Sequence, residues 1–261
     1  ECPLQRIPRQ SVIGNGVLTM RVSRICSDLV KINSENPPGS TAEVIGYIRD
    51  FLESLGIDSH VSGNEEGMCN LITQKTGKNL LLCGHVDVVP ARDAAWKYPP
   101  FSGKIDRKFV HGRGSTDMKG GCAAILSACE TLVIAGRELP ATMVFVCDEE
   151  TGGENGIRRI LHDRLISPAD CLIAEPTPSR HPAIGQKGLC RLELEFTGVS
   201  AHGSLYPAVG VNAIVEAMDL IRYVHTLHAR DYPLSAELEE ILERSADVLK
   251  EEFSLAEVSE I

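Results

Sequence analysis

The sequence predicts an α/β protein, with a layered domain built on a mostly parallel central sheet and helices on both faces. Three observations lead there. The strand-like stretches NLIT, NLLLCGHVDVV, ATMVFVC and DCLIA are near-continuous apolar runs, helical patterns separate the later ones, and polar clusters stand where the runs end. A strand covered on both faces needs apolar side chains at successive positions, and parallel neighbours need helical crossovers between them.

The elements follow in order. Residues 1–19 lack periodicity and are expected to form a disordered leader, with helical patterning from Met20. From Ser40, apolar residues at 42, 44, 45, 48, 51, 52 and 55 mark one helix face. Ser40 and Glu43 make a capping-box pattern after Pro37-Pro38-Gly39, and Gly56 supplies the stop. MKGGCAAILSACETLVIAG and GGENGIRRILHD read as further helices. Near Gly188 the pattern changes. LCRLELEFTG alternates apolar and charged side chains, as a strand with one wet face does, and two helical patterns follow, the second strongly acidic. The expected organisation is a leader over 1–19, part of a catalytic domain over 20–187, and the start of a smaller α+β lid or dimerisation domain over 188–261. That last unit reads as incomplete, because one strand cannot close a sheet layer.

Composition excludes several classes. With 43% hydrophobic and 24% charged residues the chain has an ordinary globular profile. A net charge of −10 without any basic block argues against nucleic acid, whose binding depends on clustered Lys and Arg. No apolar run approaches the roughly 20 residues of a membrane span. Nine scattered cysteines without a C-x-x-C pair point to the reducing cytoplasm.

Four polar clusters end the apolar runs or follow them: HVD at 85–87, GRGSTDMKGG at 112–121, DEETGG at 148–153 and AEPTP at 174–178. Singly each has a plain structural reading, as a turn or a solvated loop, and the glycine-rich stretch lacks the phosphate-loop spacing. Together they place His85, Asp87, Asp117, Glu149, Glu150 and Glu175 at the carboxyl ends of parallel strands, where ligands bind. So many carboxylates in one crevice need a cation, and an imidazole among them favours zinc. Two ions would need a bridging carboxylate, for which Asp117 on its glycine-flexed turn is the natural candidate. Of the adjacent pair Glu149 and Glu150, one can ligate while the other faces water as a proton shuttle.

These motifs resemble, in order and from about Met20 to Asn212, the zinc-dependent deacylase and exopeptidase family of acetylornithine deacetylase, succinyl-diaminopimelate desuccinylase, aminoacylase and carboxypeptidase G. The resemblance implies that His85 and Glu175 hold one Zn2+, Glu150 the second, and Asp117 both, with Co2+ or Mn2+ as possible substitutes. It makes Asp87 the carboxylate that orients His85 and Glu149 the general base, later the acid. GVSAHGSLYP looks like the family's lid segment, so His202 would stabilise the oxyanion in a partner's site, and Asn212 would lie near substrate. The implied reaction is hydrolysis of an N-acyl amino acid by a dizinc-bound hydroxide in a homodimer, with Glu in AEP favouring the deacylase branch. A dipeptidase or carboxypeptidase of the same family is the alternative. The family's last zinc ligand, a His beyond the lid, has no counterpart here, since neither His225 nor His228 has the matching context. A fragment, or a non-catalytic binding scaffold, is the further expectation from that departure.

Overall fold

The computed structural model describes residues 18–74, 79–92, 95–167, 169–178, 181–186, 188–227, 230 and 233–253. Two compact units divide the chain, one running to Pro176 and one from Thr177.

In the first unit, helices α1 (Leu18–Lys31) and α2 (Ala42–Glu53) precede strands β1 (Ser59–Gly63), β2 (Cys69–Thr73) and β3 (Leu80–His85). A small hairpin, β4 (Lys104–Ile105) and β5 (Val110–His111), leads to α3 (Lys119–Ile134), β6 (Thr142–Val146), α4 (Ile157–His162) and β7 (Asp170–Ile173). The main sheet has the order β1-β2-β6-β3-β7. β3 pairs in parallel with β6 and β7, whereas β2 runs antiparallel to both β1 and β6. Four of the five strands thus share one direction. Since His85 is in register with Val146 and Cys83 with Ile173, the residues after β3, β6 and β7 all leave the sheet at the same edge.

Alternation along β6 builds a core on each face of the sheet. Met143 and Phe145 join Ile25, Leu29, Ile48 and Leu126 from the first three helices, while Val144 and Val146 pack with Ile72 and with Ile160 of α4. Helices on both faces are what the apolar runs require. Across the first core, Arg21 of α1 donates two hydrogen bonds of 2.6 Å to Glu130 of α3.

Several local expectations are corrected. The capping box at Ser40 does not form. Thr41 is the N-cap, without a side-chain cap, because its hydroxyl instead donates to Cys69 O and accepts from Cys69 N–H, both at 2.8 Å. The helix expected over 152–163 shortens to α4, since one 3-10 turn over Glu149–Thr151 and Gly152 and Gly153 at positive φ come first. Helix α1 starts at Leu18, two residues before the expected point, and the earlier leader lies outside the described residues. Among the described residues seven cysteines are free thiols, but Cys69 is disulfide-bonded.

The second unit carries α5 (Ala213–Leu227) and α6 (Ala236–Phe253), matching the two helical patterns. The strand expected over 189–198 is absent. Extended backbone becomes a strand only with a ladder partner, and among the described residues of this unit the one pairing is the bridge between Val199 and Val211. No helix among the described residues is long and apolar enough to cross a membrane.

Candidate metal centre

His85 ends β3 and is buried. Its Nδ1 lies 3.0 Å from the carbonyl of Asp87 and 3.5 Å from the Asp87 carboxylate. That side of the ring suits an Nδ1–H donor, which leaves Nε2 as the ligand atom. Nε2 faces Asp117 Oδ1 at 2.9 Å, Glu175 Oε1 at 3.4 Å and Glu149 Oε2 at 3.9 Å. Donor atoms of His85, Asp117 and Glu175 all lie within 4.8 Å of one another.

Each carboxylate is placed by a different device. Asp117 stands on a turn in which Gly114 has φ +81°, a conformation costly for any residue with a Cβ. The turn closes through Lys119 N–H to Gly114 O at 2.8 Å. The buried Lys119 ammonium donates to the carbonyls of Leu29 and Ile32, at 3.1 and 2.7 Å, anchoring the turn to the end of α1. Gly121, in the first turn of α3, comes so close to the residue preceding Glu175 that a Cβ would meet Ala174 O at 2.1 Å. Glu149 and Glu150 sit on the 3-10 turn after β6, and their backbone N–H groups donate to Asp87 Oδ1 and Oδ2, each at 3.2 Å.

The electrostatics follow from this crowding. Burial opposes charge on His85, yet Asp87, Glu175 and Asp117 outweigh it and lift its pKa to about 9. Burial pushes Glu175 up to about 7, with His85 pulling the other way and Asp117 and Glu149 adding to the rise. Glu150 is raised as well, by burial and then by Asp117. Asp87 is lowered although burial opposes it, because His85, Asn36 and the Glu149 N–H stabilise its charge. Carboxylates raised by burial and by one another, gathered around one imidazole, mark a place where positive charge belongs. One imidazole and oxygen donors converging on it fit a divalent cation.

A model of peptidase family M20/M25/M40 matches residues 81–260, well over half the chain. The chain belongs to this family. Acetylornithine deacetylase of Aliivibrio fischeri (strain MJ11) is 37% identical over 185 residues, covering 70% of this chain and 48% of the relative. The Vibrio vulnificus (strain CMCP6) acetylornithine deacetylase is 38% identical over 174 residues, covering 66% and 45%. The chain thus spans about half the length of the curated relatives it matches. Among solved structures, an M20 family metallo-carboxypeptidase from Sulfolobus solfataricus superposes with TM-score 0.64 at 20% identity, over 91% of this chain and 60% of that one. A tripeptidase from Staphylococcus aureus gives 0.52 at 21% identity, over 78% and 56%. At such identities these two show the fold alone.

Within this M20/M25/M40 chain, His85, Asp87, Asp117, Glu149 and Glu175 come together, and Glu150 joins them through its turn. His202 belongs to the second unit, where it is exposed and its Nδ1 lies 2.8 Å from Ser204 Oγ. Asn212 is in that unit too, its side chain accepting from Ile214 N–H at 3.0 Å. Sequence reading missed Lys119, Asn36 and Asp148. Lys119 had a signal, a lysine inside an otherwise small and apolar helix start; Asn36 sits beside Pro37-Pro38-Gly39, read only as the lead-in to a helix, and Asp148 opens the DEETGG cluster, in which only Glu149 and Glu150 were given roles.

Proposed function

We propose that the protein is a zinc hydrolase of N-acyl amino acids, resembling acetylornithine deacetylase. The observation that carries this is the meeting of three carboxylates within 3.9 Å of one imidazole nitrogen, at the edge where β3, β6 and β7 end. The acetylornithine deacetylase relatives at 37–38% identity support the substrate class.

In this reading His85 and Glu175 would hold one zinc ion and Glu150 the other, with Asp117 as a further carboxylate ligand. Bound zinc supplies Lewis acidity, polarising the scissile carbonyl and lowering the pKa of water. Asp87 fixes the His85 ring and, through two backbone N–H groups, the turn of Glu149 and Glu150. Glu149, with a side chain 53% exposed, is the base: it accepts a proton from the attacking water and passes it to the departing amine nitrogen. His202 donates a hydrogen bond to the oxyanion in the partner subunit's site, its ring steadied by Ser204. Homodimerisation through the second unit is part of the proposal, supported by Ile214, Met218 and Ile221, exposed along one face of α5.

The test is an assay of the full-length zinc-loaded protein on acetylornithine, succinyl-diaminopimelate and free dipeptides. Preferred turnover of an N-acylated substrate is expected. Preference for free dipeptides would move the protein to the peptidase branch, and no hydrolysis at all would remove the catalytic reading. Sedimentation velocity is expected to show a dimer.

A further inference from the structure

Resting on that reading of the centre, we propose that Asn36 is a positioning residue for it, a buried amide that ties the carboxylate beneath His85 to the turn carrying Glu149 and Glu150.

Asn36 lies between α1 and α2, where residues 34–36 run alongside residues 86–88. Ser34 O accepts from Val88 N–H at 3.0 Å, Val88 O from Asn36 N–H at 2.8 Å, and Val86 O from the Ser34 hydroxyl at 2.6 Å. The linker is thereby pinned to the segment that contains Asp87. From this fixed backbone the Asn36 side chain, 4% exposed, aims Nδ2 at three oxygens: Asp87 Oδ2 at 3.0 Å, Asp148 Oδ1 at 3.2 Å and Thr151 Oγ1 at 3.0 Å. Two of the three belong to buried carboxylates, so the nitrogen end of the amide is the one that faces them.

Asp148 is the post on which the turn is built. It has φ 65°, uncommon for a residue with a side chain, and accepts from Asn155 N–H, Asn155 Nδ2 and the Thr151 hydroxyl. Asp87 holds the same turn from the other side through the N–H groups of Glu149 and Glu150. Two buried negative charges thus flank one turn, and Asn36 donates to both. An aspartate at position 36 would add a third charge, and an alanine would leave the two carboxylates facing one another without a shared donor. The amide sets how far the Glu149 turn stands from the His85 strand end. It touches neither donor group, so it acts by position alone.

The experiment compares Asn36→Ala, Asn36→Asp and Thr151→Val in the full-length zinc-loaded protein, together with Asn36→Ala in a Glu149→Gln background. The expected result is a kcat lowered at least tenfold by Asn36→Ala with KM within threefold, a larger loss for Asn36→Asp and a smaller one for Thr151→Val. In the Glu149→Gln background Asn36→Ala is expected to cost less than threefold, because the group it positions is already gone. An unchanged kcat, or losses that multiply in full in the double variant, would overturn the proposal. If the wild type hydrolyses none of the substrates, it is the reading of function that has failed. Calorimetric titration of the metal-free proteins with zinc alone then decides: tenfold weaker binding to Asn36→Ala or, should that variant not fold, weaker binding to Thr151→Val supports the positioning role, and equal binding overturns it.

Discussion

The backbone N–H of Glu149 donates to Asp87 Oδ1 across 3.2 Å, so the carboxylate that faces the His85 ring also holds the glutamate assigned as base. A change at Asp87 therefore reaches both sides of the centre. Asp87→Asn would turn an amide N–H2 toward donors, leaving at least one buried N–H without an acceptor at a cost of about 1–3 kcal/mol. Zinc affinity is expected to fall about 10- to 100-fold, as when other partners of metal-bound histidines are removed. Titration with zinc, read beside the melting temperature, checks both effects.

Glu149→Gln keeps the size of the side chain and removes its ability to take a proton. A loss of about 10²–10⁴-fold in kcat is expected, with zinc content retained. A variant that still turns over within tenfold of the wild type would take the role of base away from Glu149.

Chelation tests the centre from another direction. With carboxylates crowded around Nε2 of His85, removal of the ion leaves like charges facing one another. Zinc-free protein is expected to melt below the zinc-loaded form by an amount that grows with metal concentration, since an ion that binds only the folded state stabilises it by mass action. Equal melting temperatures would count against the site.

Lys119→Met keeps most of the buried volume but removes the donor to Leu29 O and Ile32 O. A loss of about 1.5–3 kcal/mol is expected for hydrogen bonds from a charged group, visible in the urea midpoint. Should the midpoint rise instead, the cost of burying the ammonium would outweigh those bonds.

Glu35 links the α1–α2 connection to the segment after β3 by accepting from Ala91 N–H at 2.6 Å, and that bond, aided by Asn33, holds its pKa below the usual glutamate value. A carboxylate lowered on folding contributes stability above its unfolded pKa of about 4.3 and loses it as pH falls through the folded value. Glu35→Gln is expected to flatten the acid limb of a melting-temperature profile below about pH 4.3, with little change in its slope near neutrality.

Much of the first unit was legible because its signals are local. The apolar runs at β2, β3 and β6 announce covered strands and their polar ends announce the centre, whereas the run at β7, expected to be buried, forms an exposed strand at the sheet edge. β1 was not legible, since SHVSG carries one apolar residue and is a strand only because β2 pairs along its whole length. The antiparallel course of β2 has no local signal either. Position 41 defeated the capping rule because a neighbouring strand offered Thr41 stronger partners. LCRLELEFTG carried the right alternation, but an alternating pattern describes a face and cannot supply the ladder. Asn36 was hidden for the same reason as β1, since its role depends on groups far along the chain.

Asn36 and Asp148 lie 112 residues apart in sequence. A contact over that distance closes only after β3 and β6 have found each other in parallel register, a non-local step that is slow in folding chains. The centre thus has no local precursor that a short peptide could retain. In a refolding experiment helical signal should return first, and the capacity to bind zinc should return with the completed sheet, as a late and cooperative event.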